Sequence, residues 1–245
     1  MRQLLPHPAD DVDLATAYAF PTGRTWVRAN MVGSVDGAAA VAGTTRGLSG
    51  PADERAFAVL RQLADVLLVG AGTARAEAYA AEPVRAEHVA RRRSAGQTAA
   101  PAMAVVSRSL DLDLASNLFI GAPTRTIVIT CAAAPASRRR AVASVADVIE
   151  AGADEVDART ALDALHERGM SRVSCEGGPR LLGQLLAAER LDELCFTLAP
   201  LLAGGSAPRM LADHALDRPA RLSLTQLLAD DGFLLARYAV DRPAR

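Results

Sequence analysis

The run from Val173 to Leu186, V-S-C-E-G-G-P-R-L-L-G-Q-L-L, leaves few alternatives for the chain around it. Val173-Ser174-Cys175 reads as the end of a buried strand. Gly177 and Gly178 carry no Cβ, so the backbone can turn tightly and a ligand can approach it. Pro179 suits the first turn of a helix, where no N–H is needed. Leu181, Leu182, Leu185 and Leu186 then recur at helical spacing and give that helix a face to bury. Its N–H groups and positive dipole end point back at the turn, an arrangement that receives anions. Glu176 stands at the carboxyl end of the strand, where open α/β sheets place their ligands. A plain strand-to-helix connection can carry the same glycines, so the rest of the chain has to decide the meaning of the stretch.

The chain has 245 residues, half of them apolar. That is enough for one sizeable core, and the expected organisation is an N-terminal lead-in, 1–24, followed by a single domain, 25–245. A net charge of −1 supplies no global field for nucleic acid or a membrane surface. The apolar runs are far shorter than a membrane span. Met1 to Asp13 is polar and acidic with two prolines, unlike a secretory leader, so a cytoplasmic location is expected. Cys131, Cys175 and Cys195 have no C-x-x-C spacing. They read as buried thiols, with neither a disulfide framework nor a metal site.

Along the chain, little regular structure is expected before residue 25 beyond one short helix. Thr25 to Val32 reads as a strand, with Asn30 an unusual polar residue in it. A turn bearing Asp36 follows, then a second extended segment over Ala38 to Ala42. Ser49 or Gly50 caps a helix with Pro51 in its first turn, Phe57, Leu60 and Ala64 on its buried stripe, and Arg61 near its end. Asp65 to Val69 is a continuous apolar run, as in a central parallel strand. It leads into Gly70-Ala71-Gly72-Thr73, a glycine-rich turn where Thr73 can cap a short helix. Arg75 replaces the third glycine of the dinucleotide fingerprint, so the ordinary motif fails. Glu77 to Ala100 reads as a mobile, arginine-rich loop with room for one helical turn; Arg85, Arg91, Arg92 and Arg93 could meet an anionic substrate, but a solvated surface is the expectation. Ala102 to Val106 is another buried strand, and it ends in Ser107-Arg108. A hydroxyl and a guanidinium with no acid there favour the 2′-phosphate of NADPH over the ribose of NADH. Strands and helices alternate to the C-terminal hairpin at Asp230-Asp231-Gly232. The fold class is α/β, a mixed sheet with helices on both faces.

Several spaced stretches agree with one known family: N-M-V-G-S-V-D-G at 30–37, L-R at 60–61, V-G-A-G-T at 69–73, and C-E-G-G-P-R-L-L-G-Q-L-L with the later L-D-E-L and A-P-L-L-A-G-G at 175–205. The chain resembles the pyrimidine-reductase family of riboflavin biosynthesis, the reductase domain of the bacterial two-domain enzymes. The resemblance runs from about residue 25 to 240. It implies a dihydrofolate-reductase-like fold, NADPH as cofactor, a ribosylamino-pyrimidine 5′-phosphate as substrate, and a homodimer.

Carried over by resemblance, Gly177, Gly178, Pro179, Arg180, Leu181 and Leu182 cradle the cofactor. Val32, Gly72, Thr73, Arg75, Glu77, Ser107 and Arg108 line it further. Asn30, Asp36, Thr45, Arg61 and Glu176 face the substrate, with Arg61 near its phosphate. Glu176 is the first choice for the catalytic carboxylate and Asp36 the second. Two departures fall at the substrate mouth. The family often has a tryptophan where this chain has Gly47, and its acid-proline pattern is lost because Ala78-Tyr79 follows Glu77. These leave room for dihydrofolate or another pterin as substrate, or for a non-catalytic NADPH-binding role. The H-x-E and P-C-x-x-C signature of the partner zinc deaminase is absent from this sequence.

Overall fold

A computed structural model describes residues 1–81, 86–211, 216 and 218–241. In chain order the elements are β1 (Arg2–Leu5), α1 (Leu14–Ala17), β2 (Trp26–Ser34), α2 (Pro51–Leu63), β3 (Val66–Gly70), α3 (Ala71–Ala76), α4 (Ala86–Ser94), β4 (Ala102–Val106) and β5 (Ile127–Thr130). There follow α5 (Ala136–Val145), β6 (Asp147–Glu150), α6 (Ala158–Glu167), β7 (Arg172–Cys175), α7 (Pro179–Ala187), β8 (Glu193–Ala199), β9 (Leu222–Asp230) and β10 (Phe233–Val240). All these strands form one sheet in the order β1-β9-β10-β8-β2-β7-β3-β4-β5-β6. From β8 to β6 neighbouring strands are parallel, while β10, β9 and β1 are antiparallel.

Residues of the central strands bury both faces, as a parallel sheet covered by helices requires. In β3, Val66 and Leu68 pack with Leu162 and Leu165 of α6 and Leu181, Leu182 and Leu185 of α7. Leu67 and Val69 point the other way, into a cluster with Ala74 of α3 and Val142 of α5. Ala52, Ala56 and Leu60 of α2 cover β2 and the hairpin through Val32, Leu228 and Leu235. Among the described residues no helix is long and apolar enough to cross a membrane.

The topology places a switch point at the middle of the sheet. The chain leaves β2, skips a position, and returns as β3; the later strand β7 fills the gap between them. Connections diverge there, and the carboxyl ends of β2, β7 and β3 open a crevice, where α/β sheets bind ligands.

Four expectations about local structure are corrected. The lead-in supplies the edge strand β1, which pairs with Leu227–Ala229 more than two hundred residues away, so no local signal marks it. Ala38 to Ala42 forms no strand; an isolated bridge joins Val41 to Thr44. The arginine-rich segment holds more than the one helical turn expected, because residues 86–94 form α4. Arg92 within it is buried, donating to the carbonyls of Gln62, Ala64 and Thr98 at 2.7, 2.6 and 2.9 Å. Arg85 lies outside the described residues. Finally, Thr73 does not cap α3: the cap position is Gly70, and Thr73 sits inside the helix.

Candidate active site

Two glycine turns meet at the switch point. The N–H of Gly70 donates to the carbonyl of Gly177 at 2.8 Å, and that of Glu176 to Leu68 at 2.9 Å. A Cβ on Gly178 would stand 2.3 Å from Thr73 Oγ1. The glycine at 178 therefore admits the neighbouring turn as well as any ligand. Gly177 has φ +82°, a conformation that favours glycine, and the 177–178 peptide is cis. The result sets the N-termini of α3 and α7 side by side at the edge of β3 and β7.

A cavity of about 410 Å³ opens beside these turns. It is walled by the end of β2 (Asn30, Met31, Val32), by Thr45 and Ser49, by α2 (Asp53, Glu54, Phe57, Arg61), by Thr73 and the run from Ala76 to Ala80, and by Glu176, Gly178, Pro179 and Pro208. At its back, Arg61 donates from Nε and Nη2 to the two oxygens of Glu176, at 2.8 and 2.7 Å. The Glu176 side chain is 2% exposed and that of Arg61 21%. The guanidinium lies 4.2 Å from the Phe57 ring centre and 5.0 Å from that of Tyr79. Burial alone would lower the Arg61 pKa; the Glu176 charge and hydrogen bonds outweigh it and hold the guanidinium above its ordinary value. Burial, then the Glu176 charge, pushes the Tyr79 phenol upward, so it stays protonated.

The chain positions this pair from both ends. Strand β7 and the turn bond fix Glu176. Arg61 rides the last turn of α2, whose terminal carbonyls need donors. Arg92 supplies them to Gln62 and Ala64, and Gln97 donates to Leu63 at 3.1 Å. The rim is tied as well, since Glu77 Oε1 accepts from the N–H of Thr45 at 2.7 Å.

Of the residues singled out in the sequence, the cavity brings together Asn30, Val32, Thr45, Arg61, Thr73, Glu77, Glu176, Gly178 and Pro179. Asp36 is not among them. Its carboxylate accepts from Ser34 Oγ and from the N–H groups of Ala203 and Gly204, at 2.5, 3.0 and 2.7 Å. Those bonds, Ser34 foremost, hold its pKa down to about 2, and the group clamps an exposed turn. Leu181 and Leu182 are core side chains, so only their backbone can serve a ligand. Gly72, Arg75, Arg108 and Arg180 are exposed outside the cavity. Arg75 donates to the carbonyl of Asp111, tying α3 to the turn that holds Ser107 and Arg108. Ser107 is buried and accepts from the N–H of Leu110.

Sequence reasoning missed Asp53, Phe57 and Tyr79 as site residues. Phe57, expected in the core stripe of α2, faces the cavity instead. The available signal was spacing: Asp53, Phe57 and Arg61 recur every four residues and share one helix face. Tyr79 stood out only as a departure from a pattern. The Gly47 departure has a packing reason, since a Cβ there would lie 3.0 Å from that of Val41.

Known proteins share this architecture. A 2,5-diamino-6-ribosylamino-4(3H)-pyrimidinone 5′-phosphate reductase of Archaeoglobus fulgidus is 26% identical over 219 residues, covering 88% of this chain and 99% of the relative. The crystal structure of a pyrimidine reductase-like protein from Corynebacterium diphtheriae is 28% identical, with a TM-score of 0.85 over 95% of this chain and 100% of that one. A diaminohydroxyphosphoribosylaminopyrimidine deaminase/5-amino-6-(5-phosphoribosylamino)uracil reductase of Thermotoga maritima shares the fold, with a TM-score of 0.69 at 17% identity, over 89% of this chain and 57% of that one. Residues 25–234 match the RibD C-terminal domain model, and the chain belongs to that family.

Proposed function

We propose that this chain is an NADPH-dependent reductase that adds hydride to C1′ of a ribosylamino-pyrimidine 5′-phosphate. The observation that carries the reading is the Arg61–Glu176 pair, set in a cavity where two glycine turns meet at the switch point. The reading draws further support from the names of the relatives matched over nearly their whole length.

The residues present fit a dinucleotide phosphate. Two helix N-termini face one crevice, and Gly72 leaves open space where a side chain would stand. Arg108 is exposed at the end of β4, next to β3 in the sheet. Gly177, Gly178 and the backbone of Arg180 to Leu182 would hold the diphosphate, with Thr73 beside it. Ser107 and Arg108 would meet the 2′-phosphate. When bound, the cofactor supplies the hydride.

The chain's own residues do the rest. Reduction of the ring-opened sugar converts a C1′=N bond into CH–NH, so positive charge at the reacting carbon must be stabilised and a proton reach nitrogen. The carboxylate of Glu176, its side chain 2% exposed, can offset that charge. Its pairing uses two of the five N–H donors of Arg61, and the others can serve the substrate phosphate. Holding two reactants face to face supplies up to about 7–11 kcal/mol of the barrier lowering in favourable systems. A homodimer belongs to the same proposal: Leu222 and Leu224 are exposed on β9, beyond the residues that β1 pairs.

The test is oxidation of NADPH by purified protein, with the ribosylaminopyrimidine phosphate and dihydrofolate offered in parallel and NADH as control. Turnover of the pyrimidine phosphate with NADPH is expected. Turnover of dihydrofolate alone, or bound NADPH with no oxidation, would overturn the reading.

A further inference from the structure

We propose that Asp53 reads the 2-amino edge of the pyrimidine, so that this reductase acts on the ring before its deamination rather than after. The inference rests on the function proposed above and names which pyrimidine the cavity takes.

Charge balance points there first. The described lining holds four carboxylates, Asp53, Glu54, Glu77 and Glu176, against one guanidinium, Arg61. Glu176 is matched by Arg61, and Glu77 accepts from the Thr45 backbone. Asp53 is only 6% exposed, and among the described residues no cation pairs with it. It accepts from the Ser49 hydroxyl at 2.6 Å, through one oxygen. Its place in the first turn of α2 keeps a negative charge favourable. A buried carboxylate with one neutral donor has capacity for more, and it faces the cavity.

Helix geometry then orders the contacts. Asp53, Phe57 and Arg61 lie on one face, so acid, ring and cation follow at steps of about 6 Å, spanning about 12 Å. A ribosylaminopyrimidine phosphate has the same order: a donor-bearing heterocycle, a sugar, and an anion. The heterocycle belongs at Asp53 and the phosphate towards Arg61.

The heterocycle's chemistry decides the rest. A 2-aminopyrimidin-4(3H)-one offers N3–H and 2-NH₂ as parallel donors, which fit the two oxygens of one carboxylate, as a guanidinium does. The deaminated ring offers N3–H between two carbonyls. Against Asp53 it makes one hydrogen bond and sets an oxygen facing an oxygen. Sites built on such hydrogen bonds reject the mismatched analogue strongly. A pterin carries the same 2-amino-4-oxo edge, so dihydrofolate is the other source of this chemistry.

The experiment measures kcat/KM and equilibrium binding for the 2,5-diaminopyrimidine ribosyl phosphate, its uracil counterpart and dihydrofolate, in the wild type and Asp53→Asn. The wild type should prefer the 2-amino pyrimidine by at least about 100-fold. The amide introduced by Asp53→Asn presents a donor beside an acceptor, which suits the uracil edge, so the variant should shrink the preference at least about tenfold. NADPH affinity, unchanged in the variant, reports a folded protein. Equal use of both pyrimidines by the wild type, or an unchanged preference in the variant, overturns the inference while leaving the reductase reading intact. An Asp53-dependent preference in binding, with dihydrofolate alone reduced, keeps the recognition and overturns the proposed substrate.

Discussion

Arg28–Glu193 and Arg61–Glu176 are the same two side chains in different settings. Arg28 and Glu193 face each other across β2 and β8, 0% and 2% exposed, with Nε 2.5 Å from Oε1. Trp26 Nε1 donates to the second glutamate oxygen at 3.2 Å, and Arg237 stands 3.3 Å from it. Arg28 also donates to the Tyr18 carbonyl at 2.7 Å and stacks on Phe20 at 4.2 Å. The network ties the lead-in to three strands. The Arg61–Glu176 pair likewise engages both glutamate oxygens and has aromatic neighbours, yet one side of its arginine faces a cavity. Burial and pairing are therefore shared by scaffold and site. What separates them is an open face at the switch point.

The largest effect on stability should come from the scaffold pair. Glu193→Gln leaves Arg28 charged and buried without a counter-charge, and stability should fall by about 3–5 kcal/mol in chemical denaturation. A loss under about 1 kcal/mol would mean that the network is not the structural one.

The two glycine turns extend the contrast. Gly178→Ala drives a Cβ into Thr73 and should cost about 1–3 kcal/mol, recovered in part by adding Thr73→Ala. Gly72→Ala meets open space in α3 and should be neutral or stabilising by up to about 1 kcal/mol. Equal costs at both glycines would break the distinction between a packed turn and an open one.

These comparisons show how far the sequence reached. The strand–glycine–helix run, the central apolar strands and the final hairpin were legible because periodicity and turn residues are local. That Glu176, Arg61 and Gly178 share one cavity was legible because their motif is specific. Strand β1, the buried Arg28 and Arg92, and the cleft face of Phe57 were not. Each depends on a partner far away in the chain, and a single arginine in a sequence reads as a surface residue until its partner is known. Asp36 illustrates the converse: a carboxylate in a family motif proved to clamp a turn.

The smallest effect is that clamp. The folded-state pKa of Asp36, about 2, lies below its ordinary value near 3.9. A depressed carboxylate adds stability that is present above the unfolded value and fades as pH falls towards the folded one. Asp36→Asn should lower the unfolding midpoint slightly at pH 6, and the gap should close as pH falls from about 4 to 2. A gap that stays constant with pH would remove Asp36 from the titration.

Arg61–Glu176 is proposed as the reacting centre, whereas Arg28–Glu193 holds the sheet. The most direct measurement is the single-turnover rate of hydride transfer in Glu176→Gln with NADPH bound. A rate about 10²–10³-fold below wild type is expected, with NADPH affinity and a folded spectrum retained. A wild-type rate in that variant would contradict it and return the pair to the scaffold.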